Sequence, residues 1–261
     1  MKVDRAIPRQ KTLLCTSRGV THAVRHLVKD LHALLPHAKK ESKLPKNEGI
    51  PALIDICQLR NCQNALYFEV RKRQDVYLWL SRCPTGPSIK FQVHNIHTSG
   101  ETHFTGNCLL GSRPMLVFDG AFDSAPHLHL TKQMLMYAFG VPQNEPGSKP
   151  FVDHILSFHI VDNMIHFRNY QISTIEGSEP ELIEIGPRFT LEYIKLFEGS
   201  FGGNCLMINE SWVSPNEVRR IVRQEYADKY VTRTENNRKY AKKHAGIQFS
   251  EDQIKKVFSL R

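Results

Sequence analysis

"GPRFTLEYIKLFEGSFGGN", residues 186–204, opens on a Gly-Pro turn and runs into an apolar-aromatic segment headed by Arg188. It closes on Phe201-Gly202-Gly203. Earlier in the chain "GPSIKFQV", residues 86–93, has the same opening. Gly-Pro marks a turn, and an apolar run after it reads as a strand. The pair predicts strands over Ser88–His94 and Arg188–Phe197.

The flanks of the two strands agree as well. Before the first, Lys11–Ser17 reads as a short buried strand, ended by Gly19. Thr21 can cap a helix in which Val24, Leu27, Val28, Leu31, Leu34 and Leu35 share one stripe, until Pro36 stops it. A second helix, about Ile50–Leu59, starts near Pro51. Strands Ala65–Val70 and Val76–Arg82 enclose the polar turn Arg71–Asp75. Before the second, Arg113–Asp119 is again a short apolar strand. A helix over Leu128–Phe139 follows, ended by Gly140 and Pro142. Strands Ile155–Val161 and Met164–Tyr170 flank Asp162-Asn163, two residues that tolerate positive φ in a hairpin.

Strand, helix, hairpin and Gly-Pro strand thus occur twice. The order predicts an α/β (α+β) fold of two related half-domains, residues 11–100 and 113–205, each with a small mixed sheet. Residues 37–49 are polar and basic, a loop or a short edge strand, and Glu101–Gly111 links the halves. Residues 1–10 form a short tail and 210–261 a basic helical one. Ser214-Pro215-x-Glu217 is a helix start, and the helix can run to about Lys243. Its first turns carry a partial apolar stripe, Val218, Ile221, Val222 and Tyr226.

Composition narrows the function classes. Of 261 residues 41% are hydrophobic, enough for a core. No run approaches a membrane span, and MKVDRAIPRQK lacks the apolar centre of a secretory signal. The six cysteines, 15, 57, 62, 83, 108 and 205, show no zinc spacing and read as reduced thiols of an intracellular protein. His127 and His129 would face the same way on an extended segment; solvated loop residues are the plainer reading. Gly199-Ser-Phe-Gly202 fits G-x-x-G, but after a strand rather than between helices. Phosphate-loop, dinucleotide and nucleophile-elbow motifs are missing, which argues against an enzyme and assigns no catalytic residue, metal or cofactor.

The formal charge is +9, and a basic surface favours a polyanion. Basic residues recur near loops: Arg18, Arg25, Lys39, Lys40, Lys43, Lys46, Arg71, Lys72, Arg73, Arg82, Arg113 and Arg188. Residues 212–261 hold twelve Lys/Arg against six Asp/Glu, with Lys239, Lys242 and Lys243 clustered. Each alone is a solvated charge; together, in both halves and the tail, they point to RNA. Tyr67, Phe68 and Phe189 lie beside them as candidates for stacking on bases. Arg188 is expected at the surface, at the start of its strand, free for a phosphate or a carboxylate.

Four stretches carry a resemblance. They are "KTLLCTSRGVTHAVRHLVKDLHALLPHAKKESKL", "HTSGETHFTGNCLLGSRPMLVFD", "SKPFVDHILSFHIVDNMIHFRNYQI" and "EIGPRFTLEYIKLFEGSFGG". Over about Lys11–Asn209 the chain resembles the Brix-domain family of ribosome-assembly factors, and in it the member acting on the large ribosomal subunit. The resemblance implies two α/β halves similar to anticodon-binding domains of class II tRNA synthetases. It identifies Gly186–Gly203 with the family's sigma-factor-like segment, associated with nucleic-acid contact. It implies a non-enzymatic role in the nucleus and nucleolus, binding pre-ribosomal RNA and a second assembly factor by strand or helix addition. A protein-only adaptor without RNA contact is the alternative.

Overall fold

A computed structural model describes residues 10–44, 49–102, 104–142, 145–173 and 180–246. The chain divides into two units, Met1–Trp212 and Val213–Arg261.

The first unit begins with β1 (Thr12–Thr16), α1 (His22–Leu34), β2 (Ala38–Lys40) and α2 (Ala52–Leu59). The antiparallel run β3 (Asn64–Arg71), β4 (Asp75–Arg82) and β5 (Ser88–His97) follows, then the single-turn α3 (Ser99–Thr102). β6 (Pro114–Phe118) leads through a 3-10 turn, Gly120–Asp123, into α4 (Pro126–Phe139). The rest is β7 (His154–Val161), β8 (Met164–Ser173), β9 (Glu181–Glu184), β10 (Arg188–Gly199) and β11 (Gly202–Ile208).

The strands form one sheet in the order β2-β1-β3-β4-β5-β10-β8-β7-β6, with β11 beside β10 and β9 beside β8. The two small sheets expected of the halves are not separate. They merge because β5 and β10, the two Gly-Pro strands, pair antiparallel from Arg188↔His97 to Phe197↔Ser88. On either side of this seam the order is the same. β1 is parallel to β3 and β6 to β7; the hairpins β3–β4 and β7–β8 are antiparallel. Asp162 and Asn163 turn the second hairpin at positive φ, as their residue types predict. The polar segment after α1 resolves as the edge strand β2, parallel to β1.

Alternation sorts each strand's side chains to two faces. One face carries α1 and α4 over a continuous core that includes Leu14, Leu27, Leu31, Leu66, Phe91, Leu135, Phe158 and Leu191. The other face carries α2, over Leu13, Cys15, Leu53, Cys57, Ala65, Tyr67 and Trp79. Strands β1 and β3 are therefore apolar on both faces. In the second half, aromatic rings tie the elements together. Phe158 stacks on Phe118 at 4.9 Å and meets Phe139 and Phe167 edge-on at 5.4 and 5.3 Å, while Phe167 stacks on Phe189 at 4.5 Å.

The halves also interlock at the end of α4, where carbonyls of the last turn lack helical partners. The Asn64 amide donates to the Tyr137 carbonyl at 2.8 Å, and the Thr12 hydroxyl to the Ala138 carbonyl at 2.9 Å. Nε2 of His37 donates to the same Ala138 carbonyl at 3.0 Å.

The second unit holds one helix, α5 (Pro215–His244), with Ser214 Oγ accepting from the Glu217 amide and Pro215 at its first position. The cap is the one expected, and the end falls one residue past the expected Lys243. Thr21, by contrast, occupies the N-cap of α1 without making a side-chain cap bond.

Two stability measurements test this packing. Phe158→Ala removes a fully buried ring and should cost about 3–5 kcal/mol in urea unfolding. His37 is 1% exposed, and burial lowers its pKa, so the folded state holds it neutral. The unfolded chain binds that proton more readily, so stability should fall as pH drops below about 6.5. His37→Gln should flatten this slope between about pH 6.5 and 5, read as urea midpoint against pH.

Candidate nucleic-acid interface

β1 ends at Thr16, and the chain turns through Ser17-Arg18-Gly19, with Gly19 at φ +77°, into α1. β2 runs parallel beside β1 and ends at Lys40. Both strands point their carboxyl ends at the entrance of α1, a place where α/β sheets bind ligands. A groove of about 840 Å³ lies there, lined by Thr16, Arg18, Gly19, Arg25, Val28, Lys40, Glu41, Ser42 and Lys43. It gathers Arg18, Arg25, Lys40 and Lys43 from separate elements and loops. None of these four forms an ion pair among the described residues. Glu41, the groove's carboxylate, is answered elsewhere. Arg60 Nε donates to it at 2.6 Å, and this bond, with the Ser42 amide at 3.1 Å, holds its pKa below the usual range. The groove thus presents four cations and one neutralised acid.

The other expected basic residues do not join it. Lys39 alternates to the opposite face of β2 and donates to the Arg60 carbonyl at 2.9 Å. Arg71, Lys72 and Arg73 sit at the β3–β4 turn, the last two at φ 53° and 56°. Arg71 bonds Glu69 at 2.7 Å and lies over Tyr77 at 5.5 Å. Arg82 lies over Tyr137 at 4.6 Å. Arg113 donates to Ser148 at 3.1 Å, ahead of β6. Lys239, Lys242 and Lys243 are exposed on α5. Lys46 falls outside the described residues.

Arg188 opens β10 and is one-third exposed, as expected, but it has company. Arg168 lies beside it, by the neighbouring register Phe189↔Phe167. Arg168 Nη1 donates to Glu184 at 3.1 Å, and Arg188 approaches the same carboxylate at 3.9 Å and the Phe104 ring at 5.7 Å. A small cavity of about 220 Å³ joins Arg168 and Arg188 with Asn95, His97, His166 and Thr190. No local pattern singles out Arg168 or the histidines, because their meeting depends on strand register.

Several sequence readings are corrected. Tyr67, Phe68 and Phe189 are buried in the two cores and offer no face to a base. His127 and His129 lie on the first turn of α4, not on an extended segment. His127 meets Tyr193 edge-on at 5.7 Å, and His129 bonds Asp123 at 3.2 Å. Gly199–Gly202 is the β10–β11 turn, and its Phe201 packs near Trp79 at 6.3 Å. Cys15, Cys57, Cys62 and Cys83 converge in the core under α2. Burial pushes the Cys15 thiol up to about 11. Among the described residues no group of His, Cys, Asp and Glu could hold a metal ion, and no helix is long and apolar enough to cross a membrane.

Comparison with known proteins adds to this geometry. The Brix domain family model matches residues 17–195. Ribosome biogenesis protein BRX1 of Saccharomyces cerevisiae is 48% identical over 242 residues, 89% of this chain and 83% of its own length. Ribosome biogenesis protein BRX1 homolog of Homo sapiens is 47% identical over 222 residues, 85% of this chain; the chain spans 62% of that relative's length. A solved structure described as a probable ribosomal biogenesis protein from Aeropyrum pernix K1 aligns with 15% identity and a TM-score of 0.47, over 77% of this chain and 99% of that one.

The groove makes a quantitative demand. Each phosphate that the protein ceases to neutralise should lower the slope of log affinity against log salt by about 0.7 for a single strand. Arg18→Ala, Arg25→Ala, Lys40→Ala and Lys43→Ala together should weaken binding of a single-stranded oligonucleotide and flatten that slope, read by fluorescence anisotropy. Arg60→Ala, outside the groove, should leave the slope unchanged.

Proposed function

The chain belongs to the Brix-domain family, and from that premise we propose that it is a ribosome biogenesis factor that binds pre-ribosomal RNA during maturation of the large subunit. The groove of Arg18, Arg25, Lys40 and Lys43 carries the reading. Four cations without carboxylate partners, at the mouth of a helix, match a run of phosphates better than a single small anion. The groove has no base-stacking ring, so its grip is on backbone and shape. The relatives' names, and the breadth of the match to them, support the biogenesis role. The place of action under this reading is the nucleus and nucleolus, and the chain acts as a scaffold alongside a second assembly factor. The basic helix α5 supplies further phosphate contacts through Lys239, Lys242 and Lys243.

Ultraviolet crosslinking in purified pre-ribosomal particles tests the proposal. Crosslinks should map to large-subunit precursor RNA, on peptides that contain residues 18–25 and 40–43. The fourfold alanine variant should lose them while the protein stays in the particle. A particle-bound chain with no RNA crosslinks would instead favour the protein-only adaptor.

A further inference from the structure

The two sides of the seam are not equally finished. In the first half, β1 is covered twice. On its outer edge, the amides of Glu41 and Leu44 donate to the carbonyls of Leu14 and Thr16 at 2.9 and 3.0 Å, and β2 runs parallel to it. On its outer face, Leu13 and Cys15 are buried with α2. Edge strand and covering helix both come from one stretch, residues 36–62.

β6 holds the corresponding place in the second half, parallel to β7 as β1 is to β3. No such stretch accompanies it: the chain goes from α4 to β7 with neither strand nor helix among the described residues. The amides of Arg113 and Asp119 bond back to Phe151 and Phe158, which turns those of Leu116 and Phe118 outward. Among the described residues no strand pairs with β6 on that side. Pro114 removes one donor and leaves the rest of the edge usable. The outer face is open too. Met115 and Val117, in the positions of Leu13 and Cys15, are 49% and 37% exposed. Beyond them, on the same face, lie Ile155 and Tyr170, then His159, His166, Arg168 and Arg188, with Glu184 as the carboxylate among them.

We propose that a partner protein completes the second half in trans, adding a strand parallel to β6 and laying an amphipathic helix with an acidic side across Met115, Val117 and the Arg168–Arg188 row. The inference rests on the reading of the chain as an assembly factor. The fold itself supplies the template: β2 and α2 cover the matching edge and face within the chain. A free backbone edge selects a polypeptide, whose groups repeat at the same spacing. Apolar residues near the edge and cations farther in select a helix apolar on one side and acidic on the other.

The test places a photoreactive benzophenone residue at position 115, or at 117, of the full chain in pre-ribosomal particles. The crosslinked peptide should come from a different protein. It should read as an alternating strand followed by a helix with clustered Asp/Glu. In parallel, Met115→Asp with Val117→Asp should cut recovery of that protein with the chain about tenfold or more. The same variant should leave oligonucleotide affinity of the isolated chain unchanged, which separates this proposal from the RNA reading. Crosslinks to RNA, to residues 213–261 of this chain or to a second copy would each overturn it. So would no crosslink in a particle that contains the chain, or unchanged recovery with the doubly substituted variant.

Discussion

The pairing of β5 with β10 is the constraint on which the rest depends. It joins strands about a hundred residues apart and makes a single sheet of two smaller ones. The contact is close enough to dictate residue type. A Cβ on Gly86, at φ +98°, would lie 2.4 Å from the Glu198 carbonyl oxygen, so only glycine lets the start of β5 meet the end of β10. Ser88 Oγ then donates to the Gly199 carbonyl at 2.7 Å. Continuity across the seam lets α1 and α4 share one core, and it places Thr12, His37 and Asn64 where they can bond the last carbonyls of α4. Neither half closes its own core or its own helix end.

The departure from symmetry has one source, residues 36–62. That stretch adds β2 and α2, and so decides what each surface can do. Lys40 and Lys43 reach the mouth of α1 only because β2 lies parallel to β1. Lys39, one residue away, alternates to the far side and is taken up by a backbone carbonyl. Four like charges in one groove repel one another, but at physiological salt charges farther apart than about 8 Å are largely screened. The groove can therefore stay charged without a large cost to folding, and still release counterions when phosphates replace them.

Much of this was legible in the sequence. Helices α1 and α4, both hairpins and both Gly-Pro strands follow from periodicity and turn chemistry. The strands β9 and β11 did not. Glu181–Glu184 is four residues with two carboxylates, and β11 begins Gly-Gly and meets β10 through register shifts, so neither shows a clean alternation. Burial of neighbours was hidden for a different reason. Tyr67 and Phe68 point to opposite faces of β3, and alternation says which side each takes, not whether both sides are covered. Of the candidate binding residues, Arg18, Arg25, Lys40 and Lys43 converge because they stand at ends of elements, while Arg168 joins Arg188 only through pairing. Local sequence encodes the first arrangement and not the second.

Strand order also fixes how far apart the two surfaces lie. The groove belongs to β1 and β2 and the open edge to β6, at opposite ends of a nine-strand path. Eight steps at the usual strand spacing give at most about 38 Å, less whatever the twist removes. That is several screening lengths at physiological salt. Charge at the groove therefore has little direct influence on the far edge, and sites so separated contribute to stability and binding nearly additively. Any coupling between them has to pass through the seam, whose hydrogen bonds and shared core are the physical link from one half of the sheet to the other.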